Sequence, residues 1–227
     1  MTSHDLHVVV DGRTVAGVCW VPDAPPDLAP LVVFGHGLGH DCRSPYHMPV
    51  ARILADEFGI AGVALDAPGH GSRRPRADAS SEEMLDEYRV RWRADAGASI
   101  AEEMSASITE ARRLIGRAPG PVAYWGLSLG TQYGLAFLAG ESNVRAAVLG
   151  LFGAGPVVSR YAARVRCPVL FVLQQQDELH PGESVEALYA QIASEEKRLV
   201  SSPGAHAAVP ADVVRSAVEF IAEKLST

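Results

Sequence analysis

A serine between two glycines, Gly126-Leu127-Ser128-Leu129-Gly130, ends the apolar run Val122-Ala-Tyr-Trp125 and opens a helix-like stretch. This is G-x-S-x-G in the strand, turn and helix context that gives the motif meaning. The turn brings the backbone of both glycines against neighbouring elements and leaves the hydroxyl exposed at a helix N-terminus, where free N–H groups favour an anion forming nearby. The bland alternative is a turn residue or N-cap. What separates the two readings is a base, because a serine hydroxyl is a weak nucleophile at neutral pH, and a base in turn needs an orienting acid. Downstream, His206 lies in Ser202-Pro-Gly-Ala-His206 just after a short strand pattern, and Asp177 lies four residues past another that ends at Leu173. Glu178 adjoins Asp177, so either carboxylate could serve. Such a set would carry out acyl transfer.

Those positions must be gathered by the elements around them. Leu6 to Val10 and Thr14 to Val21 flank Asp11-Gly12, which predicts an antiparallel hairpin at a sheet edge. Pro22 to Pro30 holds four prolines and reads as a loop. Continuous apolar runs follow at Leu31 to Phe34, Ile60 to Leu65, Val122 to Trp125, Val144 to Leu151 and Pro168 to Leu173, with a short one at Arg198 to Ser201. Helical patterns separate them at about Pro49 to Phe58, Ser99 to Arg117, Leu129 to Ala139, Gly182 to Ile192 and Asp212 to Leu225. Alternation of this kind means βαβ units, and the expected fold is α/β: a mostly parallel eight-stranded sheet with an N-terminal antiparallel hairpin and helices on both faces. In such a sheet functional groups gather at the carboxyl ends of the strands, which is where Ser128, Asp177 and His206 all fall. Residues 1–227 read as one domain.

The order Ser, Asp, His along the chain is the order of the α/β-hydrolase fold. With the elbow, the His36-Gly37 pair after the third strand, the Asp66-x-Pro-Gly-His-Gly71 turn and the terminal His206, the chain resembles the α/β-hydrolase superfamily of serine hydrolases, and among its small members the dienelactone-hydrolase-like and esterase proteins. The resemblance implies Ser128 as nucleophile, His206 as base, Asp177 as orienting acid, and the backbone N–H groups of Leu38 and Leu129 as oxyanion donors. It also implies that His36 holds its turn by hydrogen bonds. The acid loop departs from the family pattern, having Gln174 where glycine is frequent. The implied function is hydrolysis of a small carboxylic ester, thioester or lactone without a cofactor. A lyase or cyclase using the same site, and a ligand-binding module without turnover, are the other readings, since fold alone does not fix function.

The polar stretch 72–97 is long for a connection in this fold and predicts a partial lid, with Met84, Tyr88 and Trp92 on one side of a short helix over the serine, lining the substrate pocket. Only about fifteen residues separate Leu151 from Cys167, where many relatives carry a large cap, so the pocket is expected to be open, with Phe152 and Tyr161 in its wall. His36 and His40 are four apart but on a glycine turn rather than a helix face, and no carboxylate or thiol cluster completes a metal site. His70 reads as structural, His47 and His180 as surface residues. Gly35-His-Gly-Leu-Gly39 lacks the dinucleotide register, so no nicotinamide or flavin cofactor is expected.

The 227 residues carry a net charge of −7, which argues against nucleic acid or an anionic membrane as partner; a small ester-type molecule is the expected one. Three cysteines without C-x-x-C spacing indicate neither a disulfide framework nor zinc. No leader pattern or run of about 18 apolar residues is present, so a cytoplasmic protein is expected, and the resemblance implies a monomer or homodimer.

Overall fold

The Asp11-Gly12 hairpin forms as read: both residues take positive φ (49° and 74°), and the turn joins β1 (Thr2–Val10) to β2 (Arg13–Val21). The computed structural model describes residues 1–226. Beyond the hairpin come β3 (Leu28–Gly35), α1 (His47–Phe58), β4 (Ala61–Leu65), α2 (Ser81–Asp95), α3 (Ala98–Ile115), β5 (Ala118–Gly126), α4 (Leu129–Gly140), β6 (Val144–Gly150), α5 (Pro156–Ala162), β7 (Val169–Gln174), α6 (Gly182–Gln191), β8 (Lys197–Ser202) and α7 (Ala211–Leu225). One eight-stranded sheet runs in the order β1-β2-β4-β3-β5-β6-β7-β8. β1, β2 and β4 pair antiparallel, and every other neighbour is parallel. The carboxyl ends of β3 to β8 therefore share one edge.

The apolar runs are strands buried on both faces. Val33, Tyr124, Leu149 and Phe171 pack toward α2 to α6, while Val32, Phe34, Val148 and Leu170 pack toward α1 and α7. Two stretches differ from expectation. β3 begins at Leu28, inside the proline-rich segment assigned to a loop, and its register to β5 shifts between Ala29 and Leu31. Pro30 has no N–H to donate, and an irregularity is how a ladder admits it. The connection after β6 also contains a helix, α5, started by Pro156.

The polar stretch forms a fifteen-residue helix, α2, begun by a capping box in which the Ser80 hydroxyl and the Glu83 carboxylate each accept from the other's backbone N–H. Ala96 and Gly97, both with positive φ, turn the chain sharply into α3. No helix among the described residues is long and apolar enough to cross a membrane.

Candidate active site

The glycines of the elbow are required by contact. A Cβ on Gly130 would stand 2.2 Å from the Gly35 carbonyl oxygen, and one on Gly126 would stand 2.7 Å from that of Gly130. Ser128 has φ 57° and ψ −125°, a conformation costing about 1–3 kcal/mol that persists only where its surroundings dictate it. They do. The Ser128 N–H donates to Gly150 O (2.9 Å), the Thr131 N–H donates to Ser128 O (2.8 Å), and the buried Thr131 hydroxyl accepts from the Gly150 N–H (2.8 Å). The end of β6 thus braces the turn after β5, and the strain is held by the sheet.

Against this serine lies His206. The Ser128 hydroxyl is 2.9 Å from its Nε2, and its Nδ1 is 2.8 Å from Asp177 Oδ2. An ionised carboxylate can only accept, so the ring carries its proton on Nδ1 and offers Nε2 as acceptor to the hydroxyl. The Asp177 side chain is 1% exposed and that of His206 12%. Burial works against ionising Asp177, but the His180 N–H (2.9 Å), the His206 ring and the Leu179 N–H (2.8 Å) all donate to it and hold its carboxyl below the usual range. Glu178 takes a different part: its Oε2 accepts from the backbone N–H of His206 (2.9 Å). Of the two carboxylates, Asp177 holds the ring and Glu178 the backbone.

The loops after β7 and β8 are laced together. Gln175 N–H donates to Ser202 O (2.9 Å), Gln176 N–H to Gly204 O (3.0 Å), and the Gln176 side-chain oxygen accepts from Gly204 N–H. Gln174 is buried and accepts from the Ser202 hydroxyl. Gln174, which stands where glycine is frequent, thus ties the end of β7 to the end of β8 through its side chain.

The turn after β3 passes beside Ser128, where a Cβ on Gly37 would stand 3.9 Å from the serine's own Cβ. Leu38 follows, half-buried, and Leu129 begins α4 directly after the serine. His36 is fully buried; its Nε2 accepts from Ala67 N–H (3.0 Å), its Nδ1 donates to Gly37 O (2.9 Å), and its carbonyl accepts from the Tyr133 hydroxyl (2.9 Å). Burial, then the neighbouring His70, pull its pKa down to about 3, so the ring is neutral. Asp66 completes the brace by accepting from Cys42 N–H (2.9 Å) and from the N–H and hydroxyl of Ser72 (both 2.8 Å). Below it Arg73 donates to Asp66 O (3.0 Å) and to Glu103 of α3 (2.7 and 3.2 Å), whose carboxylate is 2% exposed. His70 likewise bonds its own turn, through Pro68 O (2.9 Å). The reading of the sequence anticipated His36 and His70 as turn-holders but missed Arg73 and Glu103, whose pairing spans thirty residues and leaves no local pattern.

Met84 and Tyr88 are buried beneath α2, Tyr88 to 1% exposure. Tyr88 stacks on Trp92 (6.0 Å, 17°) and meets His70 and Tyr133 at 6.5 and 6.3 Å. Trp92 and Tyr161 are half-buried and edge to face at 6.5 Å, and the Tyr161 hydroxyl donates to Ala96 O (2.9 Å), tying α5 to the end of α2. Across the site Phe152 packs on His180 (4.8 Å), whose ring lies 5.9 Å from that of His206. Two histidines expected at the surface therefore lie elsewhere: His180 stands half-buried beside His206, and His47 is 4% exposed with its ring 5.1 Å from Phe34. In each case an aromatic neighbour covers the ring, and nothing in a short local pattern announces that.

Residues 32–221 match the model of the Alpha/beta hydrolase family. Comparison with curated proteins finds no match. Among solved structures, a cold-adapted esterase from an Arctic intertidal metagenomic library, in a complex with PEG, is 32% identical over 98% of this chain and 94% of its own, with a TM-score of 0.83. The fold also matches Est1E from Butyrivibrio proteoclasticus with ferulic acid bound (19% identical, TM-score 0.73, 98% and 100% covered). It matches as well a dienelactone hydrolase from Anabaena variabilis ATCC 29413 (21%, TM-score 0.71, 99% and 97% covered). The elbow after β5, the acid loop after β7, the histidine loop after β8 and the match over most of the chain have one conclusion: this protein is an enzyme of the alpha/beta hydrolase family.

Proposed function

We propose that the protein hydrolyses a small carboxylic ester, thioester or lactone through an acyl-enzyme on Ser128. The observation that carries this is the unbroken contact from Asp177 Oδ2 through the His206 ring to Ser128 Oγ, at 2.8 and 2.9 Å. Ser128 Oγ attacks the acyl carbon while His206 Nε2 takes its proton, and ionised Asp177 stabilises the imidazolium. The carbonyl oxygen becomes an oxyanion held by the Leu38 and Leu129 N–H groups, each such donor contributing about 3–4 kcal/mol. Collapse expels the alcohol or thiol, which takes the proton from His206. Water then repeats the sequence, with His206 as its base, and frees Ser128 and the acid.

Leu38, Trp92, Phe152 and Tyr161 line the space around the serine in this reading, with Met84 and Tyr88 setting the position of Trp92 from beneath. The 32% identical esterase supports an ester as substrate. The connection between β6 and β7 bears only the short helix α5, which favours a small acyl group and an open mouth. The test is turnover of p-nitrophenyl esters of increasing acyl length by wild type and Ser128→Ala. The expected result is hydrolysis of the short esters, abolished in the variant. Silence toward every ester, or equal rates in the two proteins, would overturn the proposal.

A further inference from the structure

Among the described residues β1 is the end strand of the sheet and pairs with β2 alone. It is nine residues long, its ladder runs unbroken from Thr2↔Val21 to Val10↔Arg13, and it contains neither lysine nor proline. Cations, prolines and bulges are the means by which proteins blunt an open edge. The other end strand, β8, is six residues long and begins Lys197-Arg198. The two edges are thus built differently: β1 has no lysine, proline or bulge of its own, and its outward residues carry one carboxylate, Asp5.

The hairpin dictates which groups of β1 are open. A two-residue turn with φ positive at both positions makes the flanking residues, Val10 and Arg13, a hydrogen-bonded pair. Antiparallel pairs alternate, so Val10, Val8, Leu6, His4 and Thr2 turn their N–H and C=O toward β2, while Val9, His7, Asp5 and Ser3 turn theirs outward. The side chains of these four are exposed, Val9 to 69%, whereas Leu6 and Val8 are buried on the opposite face. Arg43 reaches the outward set from its own chain, bonding the Ser3 hydroxyl (3.1 Å) and the Asp5 carboxylate.

This pattern is self-complementary. A second copy of β1, antiparallel about a two-fold axis at Leu6, brings Asp5 opposite the partner's His7 and Ser3 opposite the partner's Val9. All four open residues of each strand then fall in hydrogen-bonding pairs. The neighbouring registers lose a pair and set like against like. One puts Asp5 opposite the partner's Asp5, the other His7 opposite the partner's His7. We propose that β1 is a homodimer contact, two copies joining their sheets edge to edge in the Asp5 to His7 register. Strand pairing alone covers less than a standard interface of about 1,600 Å², so the dimer is a weak one that forms as protein concentration rises.

Sedimentation equilibrium of the full chain tests this. Wild type is expected to pass from 24.1 kDa toward twice that mass with rising concentration. H7D puts carboxylates opposite one another at two symmetric positions and is expected to raise the dissociation constant about tenfold or more, and the exchange D5H/H7D is expected to restore it. The pair S3C and V9C is expected to cross-link two chains on oxidation, as opposed residues there lie within disulfide reach. These positions are exposed, and circular dichroism confirms folding of each variant. A wild type that stays monomeric to about 500 micromolar overturns the proposal. So does a dimer whose affinity ignores H7D, or one that the cysteine pair does not cross-link.

Discussion

Replacing Asp177 by Asn tests the proposed relay at the atom where it is most specific. Oδ1 of Asp177 accepts from the Leu179 and His180 N–H groups, so the asparagine must keep its oxygen there. The reverse orientation would point an amide N–H₂ at two backbone donors and lose both hydrogen bonds, at about 0.5–1.5 kcal/mol each. Its N–H₂ group is then forced toward His206 Nδ1, which responds by becoming the acceptor and moving its proton to Nε2. That nitrogen lies 2.9 Å from the Ser128 hydroxyl and can no longer take a proton from it. In serine hydrolase triads an inverted tautomer lowers kcat by about 10⁴, equivalent to about 5.5 kcal/mol of barrier. The assay is steady-state hydrolysis of p-nitrophenyl acetate by Asp177→Asn beside Glu178→Gln, with thermal unfolding as a check on both. Gln at 178 retains an oxygen for the His206 backbone N–H and is expected to stay within a few-fold of wild type. A loss under tenfold in Asp177→Asn, or a larger loss in Glu178→Gln, would refute the reasoning.

Further expectations follow from the same contacts. Gly130→Ala forces a Cβ to within 2.2 Å of Gly35 O, and because that neighbour is backbone the cost is at least ~3 kcal/mol, read as a lower urea midpoint or loss of soluble protein. Arg73→Met takes the two-bond partner from the buried Glu103 carboxylate and leaves it Arg13 at 3.9 Å, at an expected cost of about 3 kcal/mol, whereas Arg73→Met with Glu103→Leu is expected to cost less; equal losses in the two would remove the ion pair from the account. Burial lowers the pKa of His36 to about 3 and of His47 to about 4, so the unfolded chain takes up these protons first as pH falls. Their contribution is full near pH 7 and declines from about pH 6.5 downward, by as much as ~1.4 kcal/mol per pH unit for each ring. Urea unfolding at pH 6.5 and 4.5 is expected to show that decline, and His47→Phe to reduce it; an unchanged slope in the variant would contradict it.

What could be read from the sequence was whatever a local contact demanded. The glycines at 126 and 130 admit no side chain, Asp11-Gly12 needs two positive φ values, and the long apolar runs are strands covered on both faces. The choice of Asp177 over Glu178 rested on the family resemblance and not on the local residues, because they are adjacent on a loop whose course depends on hydrogen bonds to residues 202 and 204. Met84, Tyr88 and Trp92, four apart, were legible as one face of a helix and read as a lid over the serine, but Met84 and Tyr88 are buried against the body, where Tyr88 meets His70 and Tyr133 from other parts of the chain. Cationic and carboxylate partners were the least visible: Arg73 and Glu103 look like ordinary surface residues until α3 brings them together under the Asp66 turn.

The central claim is that Ser128 is the nucleophile, and the most direct measurement is the site of covalent capture by a fluorophosphonate. After reaction and proteolysis, mass spectrometry is expected to place the phosphonyl group on Ser128 alone, with labelling lost in Ser128→Ala and slowed by several orders of magnitude in His206→Ala. An unlabelled protein, or label on any other residue at the same rate in the Ser128→Ala variant, would contradict the account.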